Sequence, residues 1–391
     1  MTPPNVTERA SRREQAVVPV RKPLQPIMPR VTVVMSVQQA PVSLERCLAA
    51  IFSQDYPAHR MEILVADATS GRDVSARLST LQNDRTNLQI IASPARTIPS
   101  GLNATLRAAS GEYIVRVDAS AIIEPDFVRQ CVENLRNTGT DNVTGKMAVA
   151  RTGFFATSLS AATKSRFGIG GGMFPYYNEE TRLFSFCGEE PRVDAVYLSA
   201  WRRDLFAQIG LFDEGLGRNQ DDSINCRLLE NRGRVMLSSE IKSTFETRTT
   251  LGSILRNYFE YGMWKVRFMQ RHPWHITKRQ FASPVLVGMW LLLAVVATAS
   301  SVGMTLFAGL TGLLVTVNFA ASLLTARRCG LKQLPKLCLT FAAMHFGYGL
   351  GVLSGLVRFA GRWKDRGQYE KLATVTAVAE QVSSQAHAAA V

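Results

Sequence analysis

Short apolar runs alternate with helical patterns over the first part of the chain. The apolar runs lie at residues 31–37, 62–66, 88–92 and 113–117. Between them, apolar residues recur at helical spacing near residues 44–52, 74–81 and 100–109. Nearly continuous apolar character is typical of parallel strands that are covered on both faces. Because strand–helix–strand units are right-handed and parallel, this order predicts the nucleotide-binding half of an α/β fold.

Polar residues stand at the ends of these predicted strands. We expect Ser36, Asp67 and Asp118 to lie along one edge of the sheet, where open α/β folds bind their ligands. A second acidic step, Asp221 and Asp222, opens a later helical pattern. A diphosphate with its metal needs one carboxylate, and an acceptor hydroxyl needs a second carboxylate as its base. The pairing of Asp118 with this step therefore predicts sugar transfer from a nucleotide.

Apolar stretches in the C-terminal part of the chain predict membrane segments. Residues 281–325 contain no Asp, Glu, Lys or Arg, and this length suits two transmembrane helices. Residues 337–357 are also uncharged, but they are glycine-rich and include His345. This run is either a third transmembrane helix or a re-entrant segment, because the basic residues after it favour the cytosolic side. His345 either contacts a lipid phosphate or is satisfied by a neighbouring helix.

The other segments complete the predicted domain organisation. Residues 1–29 carry prolines and scattered charges without periodic apolar positions, which predicts a disordered arm. This arm lacks the apolar core of a signal peptide, so we expect the α/β domain at residues 30–250 to stay in the cytosol. Residues 251–280 have the amphipathic spacing of a helix at the membrane surface, and residues 366–391 form a tail.

The net charge points to the membrane. The chain has 45 Lys and Arg against 31 Asp and Glu, a formal charge of +14. Such a balance suits nucleic acid, an anionic membrane or anionic substrates. The basic residues crowd residues 256–279, directly before the apolar region, as juxtamembrane clusters on the cytosolic side do. No nucleic-acid-binding module with interleaved aromatic residues is present, so a nucleic-acid partner is not expected.

Many short motifs follow one order along residues 30–270. They lie at residues 31–37, 48–57, 62–67, 101–103, 109–114, 118–120, 212–214 and 220–228. In this order they resemble the inverting family 2 glycosyltransferases, whose GT-A fold is a Rossmann-like α/β domain for nucleotide-diphospho-sugars. Within that family the chain is most similar to the membrane-associated ExoA-like enzymes of succinoglycan and related exopolysaccharide synthesis. This second similarity depends on residues 116–119, 167–171, 218–222 and 261–265.

The resemblance implies roles for the residues at the first strand ends. Asp67 matches the carboxylate that recognises the uracil base, and Ser36 matches a nearby position at the nucleotide. Asp67 could instead only cap its loop. Asp118 matches the first acid of an Asp-x-Asp motif, which contacts the ribose or the metal. Ser120 stands where the family has a direct ligand for Mg²⁺ or Mn²⁺, and a neutral hydroxyl binds such hard cations weakly.

The resemblance also implies the catalytic base. Asp221 aligns with the carboxylate that deprotonates the acceptor hydroxyl as it attacks the anomeric carbon, which inverts the configuration. Asp222 is a further candidate substrate-binding residue. Both could instead be acids that complement a helix dipole.

The implied reaction moves a sugar, such as glucose or another hexose, from a UDP-sugar to a polyprenyl-linked saccharide. The implied place is the bacterial inner membrane, with several transmembrane helices and a cytosolic catalytic domain. Membrane lipid and other polysaccharide-assembly proteins are the expected partners. The alternative hypothesis is a catalytically weak or silent subunit of such an assembly, because Ser120 replaces a metal ligand.

Overall fold

The computed structural model describes residues 28–38, 43–69, 72–83, 85–93, 95–168, 198–276 and 278–372. The predicted disordered arm lies outside these residues except for its last two positions. The glycine-rich motif at residues 167–171 is described only to Gly168, and the tail only to Leu372.

One mixed eight-stranded sheet forms the centre of the first part of the chain. Its strands are β1 (Val31–Val37), β2 (Met61–Asp67), β3 (Leu88–Ala92), β4 (Tyr113–Arg116), β5 (Ala121–Ile123), β6 (Asn142–Thr152), β7 (Ser199–Arg202) and β8 (Val235–Arg248). The strand order is β3-β2-β1-β4-β7-β6-β8-β5. The first four strands in this order are parallel, and β7 is antiparallel to both of its neighbours.

Within the described ranges, eleven α-helices cover this sheet and extend beyond it. They are α1 (Leu44–Phe52), α2 (Arg72–Asn83), α3 (Ile98–Ala108), α4 (Phe127–Thr138), α5 (Ala156–Lys164), α6 (Leu205–Ile209), α7 (Gln220–Glu230), α8 (Leu251–Arg271), α9 (Ala282–Ala297), α10 (Ser301–Cys329) and α11 (Leu334–Arg358). The four predicted strands and the first three predicted helices are all present, with ends that differ by two residues or fewer.

The sheet separates two apolar cores. Every residue of β1 is buried, and its side chains alternate between the two faces. Val33 packs with residues of α1 and α4, while Val34 packs with residues of α3, α6 and α7. Burial on both faces explains why the parallel strands are nearly continuous apolar runs in the sequence.

The register of the parallel strands brings the predicted polar residues to one edge. Ser36 pairs with Ala66, and Val37 pairs with Asp67. The last residue of β4 pairs with Val34, so Asp118 follows the strand at the same edge. This edge is where an α/β sheet of this type presents a ligand site.

Helices α9, α10 and α11 are long and apolar enough to cross a membrane. They differ in how much the protein itself covers them. About half of the α11 span is buried in the protein, compared with 11% for α9 and 6% for α10. This difference sets α11 apart from the other two.

Close backbone contact holds α11 against α8. A Cβ atom at Gly351 would lie 2.1 Å from the carbonyl oxygen of Phe259, so only glycine fits there. Gly347 and Gly355, one turn before and one turn after, approach the carbonyl oxygens of Leu255 and Met263 in the same way. The contacting residue numbers on α11 and on α8 increase in the same direction, so the two helices are parallel.

After α11 the chain returns to the α/β domain. We call residues 359–372 the return segment. The Leu211 amide donates to the Glu370 carbonyl oxygen at 2.7 Å, and Arg107 forms an ion pair with the Glu370 carboxylate. Asp365 contacts Arg267 on α8, and hydrogen bonding from this guanidinium lowers the pKa of Asp365 to about 2. Both ends of the apolar region are therefore tied to one domain.

Candidate active site

A buried arginine joins two of the predicted site residues. Arg116 is the last residue of β4, and only 4% of its side chain is exposed. Its Nη2 and Nε atoms donate to Oδ1 of Asp118 at 2.8 and 3.1 Å. Its Nη1 atom contacts the carboxylate of Asp221, at the start of α7. A buried charge requires partners of the opposite sign, and here one guanidinium holds both carboxylates together.

The start of α7 directs its two acids to different surroundings. Asn219 precedes the helix in the left-handed conformation, with a φ of 64°, and its side chain donates to Asp222 at 2.9 Å. Asp222 also forms a buried ion pair with Lys265 of α8, with Nζ and Oδ2 at 3.7 Å. Asp221 contacts Arg116 instead. Asp222 is thus engaged with the protein, and its contact with substrate stays a prediction.

At the end of β2, Asp67 shapes its own loop. One carboxylate oxygen accepts hydrogen bonds from the Thr69 amide at 2.9 Å and from the Thr69 hydroxyl at 2.6 Å. This is the loop-capping arrangement that the sequence analysis gives as the alternative role of Asp67. The half-buried carboxylate still lies at the ligand edge of the sheet, so capping and nucleotide recognition are compatible.

Ser36 is held in a tight place beside α3. Its hydroxyl is buried, and no hydrogen-bond partner for it exists within the described part of the chain. A Cβ atom at Gly101 would lie 2.2 Å from the Ser36 oxygen. The motif glycine therefore allows α3 to approach the end of β1. This contact is a structural reason for Gly101 beside the predicted nucleotide position.

A known family matches the part of the chain that carries this edge. The model of "Glycosyl transferase family 2" matches residues 32–209. Over these residues the chain is similar to that family. The match includes the strand ends at Ser36, Asp67 and Asp118, while Asp221 lies beyond it. The family 2 domain with its mixed α/β sheet, followed by three apolar helices, confirms the predicted GT-A architecture.

Curated relatives agree with the family. The succinoglycan biosynthesis protein ExoA of Rhizobium meliloti (strain 1021) is 23% identical over 54% of this chain, and the match spans 61% of the ExoA length. A Methanococcus voltae protein named dolichyl N-acetyl-alpha-D-glucosaminyl phosphate 3-beta-D-2,3-diacetamido-2,3-dideoxy-beta-D-glucuronosyltransferase is 22% identical over 56% of this chain and 67% of its own length. The ExoA-like resemblance predicted from the motifs is confirmed.

Solved structures show weaker similarity. A mannosyltransferase of Pyrobaculum calidifontis in complex with GDP-Man and Mn²⁺ is 18% identical, with a TM-score of 0.49 over 81% of this chain and 87% of that one. S. aureus TarS 1-349 is 14% identical, with a TM-score of 0.43 over 85% and 92%. The fold assignment rests on the family match and the strand order instead of these similarities.

The family 2 domain offers a poor ligand set for the predicted Mg²⁺ or Mn²⁺. Asp118 is already paired with Arg116, and Ser120, in the turn after β4, provides only a neutral hydroxyl. Among the described residues, no three His, Cys, Asp or Glu side chains come together as a metal site. The side chains of the described residues do not form a complete metal site on their own, and we assign no step of the reaction to a metal.

Two of the sequence motifs, at residues 101–103 and 212–214, are joined by hydrogen bonds that their order in the sequence does not predict. The Asn103 side chain donates to the Phe212 carbonyl at 2.9 Å and accepts from the Phe212 amide at 2.8 Å. It also donates to Glu214 at 2.9 Å. The amide of Asn103 thus links the motif on α3 to the segment that leads to α7.

Two features of the site were missed in the sequence. The motif order does not indicate that Arg116 contacts two acids, although a lone arginine within a buried apolar run is a signal that it needs acidic partners. Cys47 is buried, which raises its pKa to about 12, and its thiol donates to the Asp118 carbonyl oxygen at 3.3 Å. This thiol supports the turn that carries Asp118, and burial keeps it protonated.

Proposed function

We propose that the protein is an inverting glycosyltransferase that moves a hexose, such as glucose, from a UDP-sugar to a lipid-linked saccharide. The product would serve exopolysaccharide or another cell-surface polysaccharide. The observation that carries this proposal is the contact of Arg116 with both Asp118 and Asp221 at the ligand edge of a family 2 domain. A nucleotide position and a base candidate are thus adjacent.

Asp221 is the proposed base. It accepts the proton of the acceptor hydroxyl while that oxygen forms its bond to the anomeric carbon. The bond from that carbon to the nucleoside diphosphate breaks on the opposite face, so configuration inverts. A carboxylate held by a guanidinium is a weak base, because the ion pair favours its charged form. Arg116 therefore acts as a positioning residue whose hold on Asp221 must loosen as the proton transfers.

The nucleotide is placed at the strand ends. Asp67 recognises the uracil base, Ser36 lies beside it, and Asp118 contacts the ribose, as the family resemblance implies. The common edge of β1, β2 and β4 supports this arrangement. Any Mg²⁺ or Mn²⁺ would be held mainly by diphosphate oxygens and water, with Asp118 and Ser120 as its protein side.

The acceptor and location follow from the membrane helices. The Methanococcus relative is named for a dolichyl phosphate-linked sugar, which supports a polyprenyl-linked acceptor here. Basic residues before α9 support a cytosolic catalytic domain at the bacterial inner membrane. Other polysaccharide-assembly proteins are proposed partners.

A second candidate is a catalytically silent membrane subunit that keeps the fold. Ser120 at a ligand position favours it, and so does the engagement of Asp221 by Arg116. The retained acids Asp67, Asp118 and Asp221 favour the enzyme.

The deciding experiment measures UDP release by the full-length protein in nanodiscs. UDP-glucose and UDP-galactose are supplied with a polyprenyl-linked saccharide, and Asp221→Asn is compared with wild type. We expect turnover with one donor and its loss in Asp221→Asn. The matched control is Asp204→Asn, because Asp204 is a half-exposed acid paired only with Arg202 among the ion pairs of the described chain. Absence of turnover with every donor and acceptor supports the silent subunit.

A further inference from the structure

A cavity of about 610 Å³ lies where the membrane helices meet the catalytic domain. Helices α8, α9, α10 and α11 contribute to its wall, together with the residues after α5. Leu286, Leu314 and Phe346 provide apolar surface from α9, α10 and α11. The cavity therefore offers room for an apolar chain within the membrane region.

Cationic side chains line the same cavity. Arg166 follows α5, Lys265 lies on α8, and Arg279 lies just before α9. The Arg279 guanidinium donates to the Arg166 carbonyl oxygen at 2.7 Å, which joins the two cationic segments. None of the described lining residues is Asp or Glu. A ligand that satisfies both parts of this wall carries an anionic head and a long apolar chain.

The position of Arg279 sets the depth of that head. Arg279 lies three residues before Ala282, where the apolar helix α9 begins. Basic residues at such a boundary lie at the level of lipid phosphates. His345 lies nearby on α11, with its Nδ1 atom 2.9 Å from the Ser283 hydroxyl and its ring 4.6 Å from that of Phe167. The imidazole is thus fixed in the cavity wall by α9 and by the chain after α5.

The cavity is connected to the proposed base. Lys265 lines the cavity and also forms the buried ion pair with Asp222. Asp222 directly follows Asp221 on the first turn of α7. A ligand head at Lys265 would therefore lie beside the helix turn that carries the base.

Building on the proposed function, we propose that this cavity binds the diphosphate of the acceptor's polyprenyl anchor. Arg166 and Arg279 hold the phosphate oxygens, and the polyprenyl chain lies against α9, α10 and α11. Lys265 is already paired with Asp222, so the two arginines supply two positive charges to the head. A diphosphate linkage carries two negative charges, whereas a phosphodiester phospholipid headgroup carries one on its phosphate. Charge complementarity therefore favours the polyprenyl anchor over a bulk phospholipid.

Photocrosslinking with a benzophenone-bearing polyprenyl diphosphate tests this site in phosphatidylcholine nanodiscs. Removing one charge-assisted contact should weaken binding about tenfold, so we expect Arg279→Gln to need about tenfold more probe. The matched control is Arg328→Gln, because Arg328 lies in the last turn of α10 and does not line the cavity. Equal labelling of Arg279→Gln and wild type would overturn the proposal.

A second pair of variants tests the apolar part of the cavity. Leu314→Trp fills the cavity, whereas Leu313→Trp places the same group at a neighbouring position that is 58% exposed and outside the lining. We expect only Leu314→Trp to abolish labelling. Equal labelling in both variants contradicts the site.

Competition identifies the source of the head group. We expect unlabelled polyprenyl diphosphate to compete, and inorganic diphosphate or phosphatidylglycerol to compete at least tenfold less well. Equal competition by phosphatidylglycerol would overturn the proposal in favour of a general lipid site. Equal competition by inorganic diphosphate would overturn the role of the apolar wall.

UDP release is followed in the same samples. Specific labelling without any sugar transfer would reject the proposed enzyme function while it supports the anchor site. Sugar transfer without specific labelling would support the proposed enzyme function and reject the anchor site.

Discussion

Arg116 forms a buried ion pair with Asp221 across the gap between β4 and α7. The same guanidinium holds Asp118 at 2.8 Å, so the two acids share one positive charge. Without that charge, two carboxylates would face each other in a partly buried place and repel each other. The geometry of the proposed base therefore depends on Arg116.

We expect Arg116→Gln to lower UDP release by at least 100-fold and to reduce the free energy of unfolding by about 3 kcal/mol, as expected for a broken buried pair. Arg116→Lys keeps the charge but has one ammonium in place of a forked guanidinium, so it should recover stability more than activity. The pH profile of UDP release separates positioning from folding. An unchanged pH profile in Arg116→Lys would argue against a role in setting the base.

The second prediction concerns Ser120. Ser120→Asp adds a carboxylate ligand where the present side chain is neutral, so it should strengthen the response of UDP release to Mn²⁺. The measurement is the Mn²⁺ concentration for half-maximal activity, which should fall about tenfold or more. Ser120→Ala serves as the control and should leave that concentration within about twofold of wild type. The interpretation of Ser120 as a lost ligand fails if both variants respond alike.

The third prediction concerns the ion pair between Lys265 and Asp222. Each side chain is at least 90% buried, so removing one partner leaves an uncompensated charge. We expect Lys265→Met to reduce the free energy of unfolding by about 3 kcal/mol. The double variant with Asp222→Asn should recover part of this loss, because it removes the remaining charge. Equal losses in the single and double variants would show that the pair is not coupled.

The fourth prediction concerns the contact between α8 and α11. Gly351→Val places a side chain against the backbone of Phe259, so we expect the melting temperature to fall by about 4 °C or more. Gly309→Val is the matched control in an apolar helix, because a Cβ atom at Gly309 has no neighbour within 4 Å. Equal melting temperatures in the two variants would contradict the close approach of α8 and α11.

The elements of the α/β domain could be predicted because local patterns encode them. The apolar runs at β1 and β2 indicated buried parallel strands, and the motif order indicated the family. The partner of Arg116 could not be predicted, since Asp221 is remote in sequence and the contact depends on how α7 packs at the sheet edge. For the same reason the ion pair of Asp222 with Lys265 could not be predicted.

The apolar run at residues 337–357 raised a question that local pattern could not answer. Its length suits a transmembrane helix, while its glycines instead fit the backbone of α8. The role of those glycines becomes apparent only when the contact with α8 is known. The position of the tail could not be predicted either. The hydrogen bond between Glu370 and Leu211 joins one segment that precedes the apolar helices in sequence to another that follows them.

The return segment has a consequence for how often the chain crosses the bilayer. A polypeptide that leaves one soluble domain and returns to it crosses the membrane an even number of times. The three apolar helices therefore cannot all be transmembrane. We therefore expect α9 and α10 to cross as a hairpin and α11 to lie on the catalytic side against α8. Maleimide labelling should then reach Ser300→Cys from the periplasm and Gly361→Cys from the cytosol, and opposite-side labelling of Gly361→Cys would exclude this path. Loosening the return segment would free α11 to change its orientation without any change in its sequence.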